Sequence, residues 1–314
     1  MRLLHYGEDG DLQLTRDLVG DEVPPYAILS HTWHEDEVTY QDFINDVGKS
    51  KKGYEKLVFC AQRALSDDLH HWWIDTCCID KTSSAELSEA INSMFKWYKN
   101  SIVCYVYLSD VSGTISAPTD VEFAKSRWFT RGWTLQELLA PVSVQFYTRD
   151  NIHLGSKTSL RNQLAEITGI PTEALGANDL TRFGVDERFR WAQGRITKRE
   201  EDEAYSLLGI FDVQMPLLYG EERTRAKRRL RKAIEEARVE NVGPKTGGNV
   251  HWVVSKCANS LFTGRSELIT RIQDAFHPDR ETIKTEQKRL VIIGMGGLGK
   301  SEVCIRAANL LREE

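Results

Sequence analysis

Three short apolar runs, each stopped by polar residues and separated by stretches of helical periodicity, constrain this 314-residue chain more than any other feature. The first, Tyr26-Ala-Ile-Leu-Ser30, ends in a cluster of Ser30, His31, Trp33 and His34. The second is Trp72-Trp-Ile-Asp-Thr-Cys-Cys78, and the third, Ile102-Val-Cys-Tyr-Val-Tyr-Leu108, is stopped by Ser109-Asp110. Runs of this length read as buried strands. Between the first two, Leu57, Cys60, Ala61, Ala64 and Leu65 recur at helical spacing within residues 53–67. Between the second and third, Ser83 and Glu86 have capping-box spacing, and Leu87, Ala90, Ile91, Met94, Phe95 and Tyr98 form one apolar stripe. Parallel neighbours need a crossover to reverse direction, so the alternation predicts an α/β fold with a mainly parallel sheet flanked by helices. Residues at the C-terminal edge of such a sheet commonly face a cleft.

The rest of the chain extends this plan. Leu3-Leu4 and Leu12 to Leu14 flank a Gly7 to Gly10 turn and predict a small hairpin. Cys77 and Cys78 adjoin in the second run and would point to opposite faces of the strand. Ser126 to Leu139 leads into a helix ended near Pro141, and Val142 to Tyr147 reads as another strand. Residues 159–240 are mostly helical, closing with an amphipathic helix from Glu221 to Glu240. Pro244 and three glycines between Asn241 and Gly248 suit a linker, after which Ser266 to Phe276 reads as a helix and Leu290 to Ile293 as part of a buried strand. The expected division is 1–158 for the α/β core, 159–240 for a helical extension, 241–260 for a linker and 261–314 for the start of a second domain.

A formal net charge of -5 and a pI near 6.0 provide no global attraction to nucleic acid or an anionic membrane. No stretch approaches a membrane span, and the first dozen residues lack the apolar core of a signal peptide. The six cysteines form no CxxC pair and no ligand ladder with histidine, which argues against a zinc site and for a reduced, cytoplasmic protein.

The most specific motif is Gly294-Met-Gly-Gly-Leu-Gly-Lys-Ser301, a P-loop pattern placed between a strand and a helix. Gly294, Gly296, Gly297 and Gly299 let backbone amides close on phosphate oxygens, Lys300 would reach the β- and γ-phosphates of ATP or GTP, and Ser301 would ligate Mg2+. Only Glu302 to Glu314 follow, with no Walker-B strand, so the motif reads as a fragment of a P-loop NTPase and negligible ATP turnover is expected.

The first 240 residues resemble the HET (heterokaryon incompatibility) domain of fungal incompatibility proteins. The matching blocks are Tyr26 to Trp33, Trp73 to Lys81 with Ser83 to Tyr98, Ser126 to Pro141, Glu201 to Asp212 and Met215 to Glu221. Phe262-Thr-Gly-Arg265 together with the P-loop resembles the opening of an NB-ARC or NACHT-type switch ATPase. The combined resemblance implies a NOD-like receptor acting in non-self recognition and programmed cell death, self-associating through its HET surfaces and its NTPase. HET domains are in turn regarded as distant relatives of the TIR fold, which makes the expected sheet TIR-like. Plant-type TIR domains cleave NAD with a glutamate in a segment similar to Trp133-Thr-Leu-Gln-Glu-Leu138, although here Phe129 to Gly132 interrupt the match with Ser126-Arg127-Trp128. This resemblance implies Glu137 as the catalytic residue and NAD as substrate, with Ser30, His31, Trp33, Asp75, Trp128, Arg131 and Trp133 around the substrate.

Each assignment has a plainer counterpart. Glu137 could be a helix-surface residue or pair with Arg131, His31 could hold structural hydrogen bonds, and the tryptophans could be core. Asp75 and Asp80 could cap the Ser83 to Tyr98 helix or pair with Arg127 or Arg131. The basic run Arg223 to Lys232 fits a solvated helix face, because Ala226 and Leu230 mark a packed side.

Overall fold

The computed structural model describes residues 1–113, 120–177, 179–241, 266–276 and 303. The chain divides into two compact units, Met1–Glu240 and Asn241–Glu314. In the second unit a helix spans Ser266–Phe276, the bounds its periodicity predicts, with Ile269 and Ile272 buried. Apart from Asn241 the expected linker, and all of the phosphate-binding motif with Gly294, Gly296, Gly297, Gly299, Lys300 and Ser301, lie outside the described residues.

The first unit is built on a seven-stranded sheet in the order β2-β1-β4-β3-β5-β6-β7. The hairpin of β1 (Leu4–Tyr6) and β2 (Leu12–Leu14) forms one antiparallel edge. Strands β3 (Ala27–His31), β4 (Trp72–Trp73), β5 (Val103–Leu108) and β6 (Val144–Thr148) form the parallel centre. β7 (His153–Ser156) pairs antiparallel with β6 at the other edge. Sequence periodicity misses β7, because a four-residue strand whose Gly155 has φ +146 carries too little alternation to register.

One predicted element is corrected. The run Trp72 to Cys78 is strand only over two residues; the backbone then turns, the Cys78 amide donating to the Ile74 carbonyl at 2.9 Å and the Ile74 amide to Cys78 Sγ at 3.4 Å. Local hydrogen bonds thus satisfy groups that a longer strand would have paired across the sheet, and the opposite-face placement of Cys77 and Cys78 does not arise. The segment from Ser126 does lead into a helix that ends before Pro141, Thr134–Leu139, but by an irregular path. Ser126 caps a 3-10 turn at Arg127–Thr130, and the backbone then pairs with a distant segment, Gly132 N–H with Ile196 O at 3.0 Å and Ile196 N–H with Thr130 O at 2.7 Å.

Helices cover both faces of the sheet. After α1 (Tyr40–Ile44), α2 (Tyr54–Ser66) packs on β3, β4 and β5, with Phe59 against Tyr107 and Tyr147. α3 (Ser84–Asn100) begins at Ser83, whose hydroxyl accepts the Glu86 amide; the Glu86 carboxylate does not return to the cap but accepts from Asp80 N and Arg2. After α4 (Asp120–Ala124), the short α5 (Thr134–Leu139) lies against β3 and α3. Because successive strand residues face opposite ways, Ser30 points toward α3 and α5 while His31 points toward α2.

The helical region comprises α6 (Arg161–Thr168), α7 (Thr172–Leu175), α8 (Val185–Trp191), α9 (Asp202–Tyr205), α10 (Leu208–Phe211) and α11 (Glu222–Asn241). It packs within the same unit as the sheet: α10 lies on α3 so closely that a Cβ added at Gly209 would sit 2.0 Å from Phe95 Cβ. On α11, Ala226, Leu230 and Ile234 are buried and Lys232 is exposed, so the basic run does have a packed side. Among the described residues, no helix is long and apolar enough to cross a membrane.

Candidate functional site

The parallel strands run in the order β4-β3-β5-β6, so the chain moves one way from β3 to β4 and then crosses β3 to reach β5. Connections leave β3 and β5 on opposite sides there, and the crevice beyond their C-terminal ends is where open α/β sheets receive ligands. Residues 31–34 and Ser109-Asp110 border that crevice. The two loops are tied together: His34 Nε2 lies 3.0 Å from Ser109 Oγ, and Arg127 donates to Thr32 Oγ1 at 3.2 Å and to the Trp33 carbonyl at 3.3 Å. Asp110 fixes the approaching segment by accepting from Ser126 Oγ and the Arg127 amide, both at 2.7 Å.

Beneath this edge, on the α5 side, lies Glu137. Its residue is only 6% exposed, so it is not a helix-surface side chain, and no ion pair joins it to Arg131 among the described residues. Trp128 Nε1 donates to Ser30 Oγ at 2.8 Å, and Ser30 donates in turn to Glu137 Oε2 in a very short contact. Burial pushes the Glu137 carboxyl up to about 8; the Ser30 hydrogen bond works against this, the charge of Asp75 adds to it, and Tyr98 and Arg195 oppose it. The Tyr98 hydroxyl beside this carboxyl also donates to the Leu29 carbonyl at 3.0 Å. A protonated carboxyl can still accept the Ser30 hydrogen bond through its carbonyl oxygen.

A second cluster occupies the α2 side. His31 Nε2 lies 3.1 Å from Asp75 Oδ1, and Trp33 Nε1 donates to both Asp75 oxygens at 3.2 and 3.0 Å. Lys81 Nζ sits 3.7 Å from the centre of the Trp33 ring. Burial by itself would raise Asp75, but the Lys81 charge together with His31 and Trp33 holds its carboxyl below the usual range. Deeper in, Lys56 makes a short ion pair with Glu37 and donates to the Thr32 carbonyl at 3.1 Å. His31 Nδ1 and Glu37 Oε2 are buried without a hydrogen-bond partner.

The structure therefore brings together most of the residues singled out from sequence, but not all. Glu137, Ser30 and Trp128 form one chain of hydrogen bonds, and His31, Trp33 and Asp75 form the neighbouring one. Trp128 is fully buried and edge-packed on Phe129 and Phe146, so it is core rather than a ligand wall; Trp33, 45% exposed, is available to a ligand. Trp133 goes elsewhere, and Arg131 contributes a backbone carbonyl. Trp133 Nε1 donates to Asp202 at 3.3 Å, and the Arg131 carbonyl accepts from Arg195 at 2.9 Å. Asp80 accepts from the Thr82 amide at 2.9 Å instead of pairing with an arginine. Sequence reasoning did not identify Tyr98 as a neighbour of Glu137, nor Arg195, Lys81, Lys56 and Glu37. Only the placement of Tyr98 on the apolar stripe of α3 carried a signal.

An open α/β sheet, mostly parallel, with helices on both faces and a buried carboxyl beneath its strand ends defines the class. A family model described as heterokaryon incompatibility protein (HET) matches residues 26–121, which run from β3 past β5 and include the crevice loops but not Glu137. Over 242 residues the chain is 50% identical to vegetative incompatibility protein HET-E-1 of Podospora anserina. That alignment covers 74% of this chain and 18% of the relative, so the chain spans less than a fifth of that protein's length. The chain carries an N-terminal HET domain homologous to that of this incompatibility protein. No solved structure matches.

Proposed function

We propose that this chain is the effector part of a fungal incompatibility receptor, acting in non-self recognition and cell death, and that its HET domain hydrolyses the nicotinamide–ribose bond of NAD when copies assemble in the cytoplasm. The observation that carries this reading is the position of Glu137, a carboxyl held at low polarity beside the switch-point crevice. Carboxyl groups shifted so far cluster at functional sites.

In the reaction, NAD and water give ADP-ribose, nicotinamide and a proton. Nicotinamide departs neutral with the bonding electrons, so no general acid is required. The ribose passes through an oxocarbenium-like state, and a carboxylate beside it stabilises that charge. Glu137 supplies the carboxylate once ionised, and water then attacks the anomeric carbon. Trp33 and Arg127 would receive the base and the phosphates at the mouth. A carboxyl at about 8 is mostly protonated at neutral pH, which describes a resting state. Opening the crevice on assembly admits water, lowers that value and ionises the group.

The burial of Glu137 equally favours a second reading, in which the HET domain is a non-enzymatic assembly module and Glu137 a structural group. Fusing the full chain to a ligand-induced oligomeriser separates the two. Nicotinamide release on clustering, lost in Glu137→Gln with folding intact, supports hydrolysis; release unchanged in that variant, or absent in every clustered form, leaves the assembly reading. The NB-ARC or NACHT-type segment, with ATP or GTP and Mg2+ as its ligands, would act as the switch that drives clustering.

A further inference from the structure

Arg195 connects the helix of Glu137 to a cleft of about 400 Å3 bordered by α8, α9 and α11, which none of the residues at the ends of β3 and β5 lines. Four cations, Arg190, Arg195, Lys227 and Arg231, line it against two acids, Asp186 and Glu203. Both acids are already engaged: Glu203 takes Lys227 at 2.6 Å and Arg223 at 2.9 Å, and Asp186 takes Arg231 at 3.6 Å. Arg190 and Arg195 have no carboxylate partner among the described residues.

Arg195 is the more constrained of the two. Its Nη1 donates to the Arg131 carbonyl at 2.9 Å and to Thr134 Oγ1 at 3.0 Å, and its Nε to the Trp191 carbonyl at 3.4 Å, which leaves Nη2 without a hydrogen-bond partner among the described residues. Burial lowers this guanidinium to about 10, with the Glu137 charge opposing. Because Glu137 is itself kept protonated by burial, it supplies little of that opposing charge at neutral pH. A partly dehydrated cation without a counter-ion is costly, and an anion arriving from solvent removes the cost. Phe189 lines the same cleft, but its ring is covered by the Arg231 guanidinium at 4.4 Å and packs on Phe211 at 4.6 Å, so the planar surface open to a ring is the exposed Arg231 guanidinium that Phe189 backs.

We propose that this cleft is a binding site for a phosphate-bearing small molecule of nucleoside-monophosphate size, its phosphate on Arg195 and Arg190 and its ring stacked on the Arg231 guanidinium that Phe189 backs. The volume lies within the range of small-ligand pockets. Since Arg195 also holds the Arg131 carbonyl and the Thr134 hydroxyl at the start of α5, occupancy is felt at the helix that bears Glu137. The site stands independently of whether NAD is cleaved.

The test is calorimetric titration of the full chain with adenosine monophosphate, adenosine and inorganic phosphate at low ionic strength. A Lys300→Ala background keeps the phosphate-binding motif from contributing. The expected result is saturable binding of the monophosphate, with adenosine and phosphate each about tenfold weaker, and about a tenfold loss in Arg190→Glu, as removal of a charge-assisted contact gives. Arg190 is exposed, so thermal unfolding should not change, and Arg190→Gln gives a milder loss in the same direction should the reversal perturb folding. Absence of saturable binding, binding indifferent to both Arg190 variants, or phosphate binding as tightly as the monophosphate each overturns the proposal.

Discussion

The hydroxyl of Ser30 donates to the carboxyl of Glu137 across 107 residues of sequence, joining the end of the central strand to the short helix beside it. This bond, with the Trp128 indole behind it and Tyr98 alongside, holds the domain's most strongly raised carboxyl away from water.

That carboxyl makes stability depend on pH in a defined window. Below about 4.5, the ordinary glutamate value, folded and unfolded chains both hold the proton; between there and about 8 only the folded chain does. Stability therefore falls as pH rises through this range, by up to ~1.4 kcal/mol per pH unit, and this contribution is flat above it. Glu137→Gln should remove that slope. Urea unfolding of both proteins from pH 5 to 8 checks this, and parallel curves would contradict it.

Lys56 and Glu37 form a buried pair whose value lies in its completeness. Burial lowers the Lys56 ammonium, and the Glu37 charge counters the effect. Lys56→Met leaves a buried carboxylate unpaired and should cost about 3–5 kcal/mol, whereas the double change with Glu37→Leu should recover much of the loss. A double variant no more stable than Lys56→Met would refute the account.

Lys157 closes the far end of α5, donating to the Leu138 carbonyl at 3.2 Å and, in a close contact, to that of Pro141. Burial brings its ammonium down from 10.5 to about 8. Between those values the unfolded chain binds more protons, so this group makes stability rise with pH. Lys157→Met should lose about 1–3 kcal/mol at pH 7 by stranding two carbonyls, and should flatten that rise. Thermal unfolding at pH 7 and at pH 10 measures both effects; an unchanged midpoint at pH 7 would exclude the capping role.

Gly209 permits the contact between α10 and α3. Gly209→Ala places a Cβ 2.0 Å from Phe95 Cβ and should destabilise by about 1–3 kcal/mol, as overpacking does. Phe95→Ala should not relieve it, because alanine keeps the atom that clashes. Full rescue in the double variant, read by denaturant midpoint, would show that the ring and not the backbone spacing sets the limit.

Sequence alone determined the alternating strands and helices, because burial of one face imposes a period that composition cannot hide. The runs ending at Ser30 and Leu108, the stripe from Leu87 to Tyr98 and the helix from Ser266 to Phe276 all carry that period. It also marked Ser30, His31, Asp75 and Glu137 as chemically notable, through polarity at strand ends and through family resemblance. The tertiary structure alone decided which of them meet. Two residues away from Ser30, Thr32 turns to Arg127 and Lys56, while Trp133, four residues from Glu137, turns to Asp202. Local periodicity reports which face of an element is buried, but the partner across that face is chosen by how elements distant in sequence pack. For that reason the burial that raises the Glu137 carboxyl, and an Arg195 amino group with no partner among the described residues, emerge only in three dimensions.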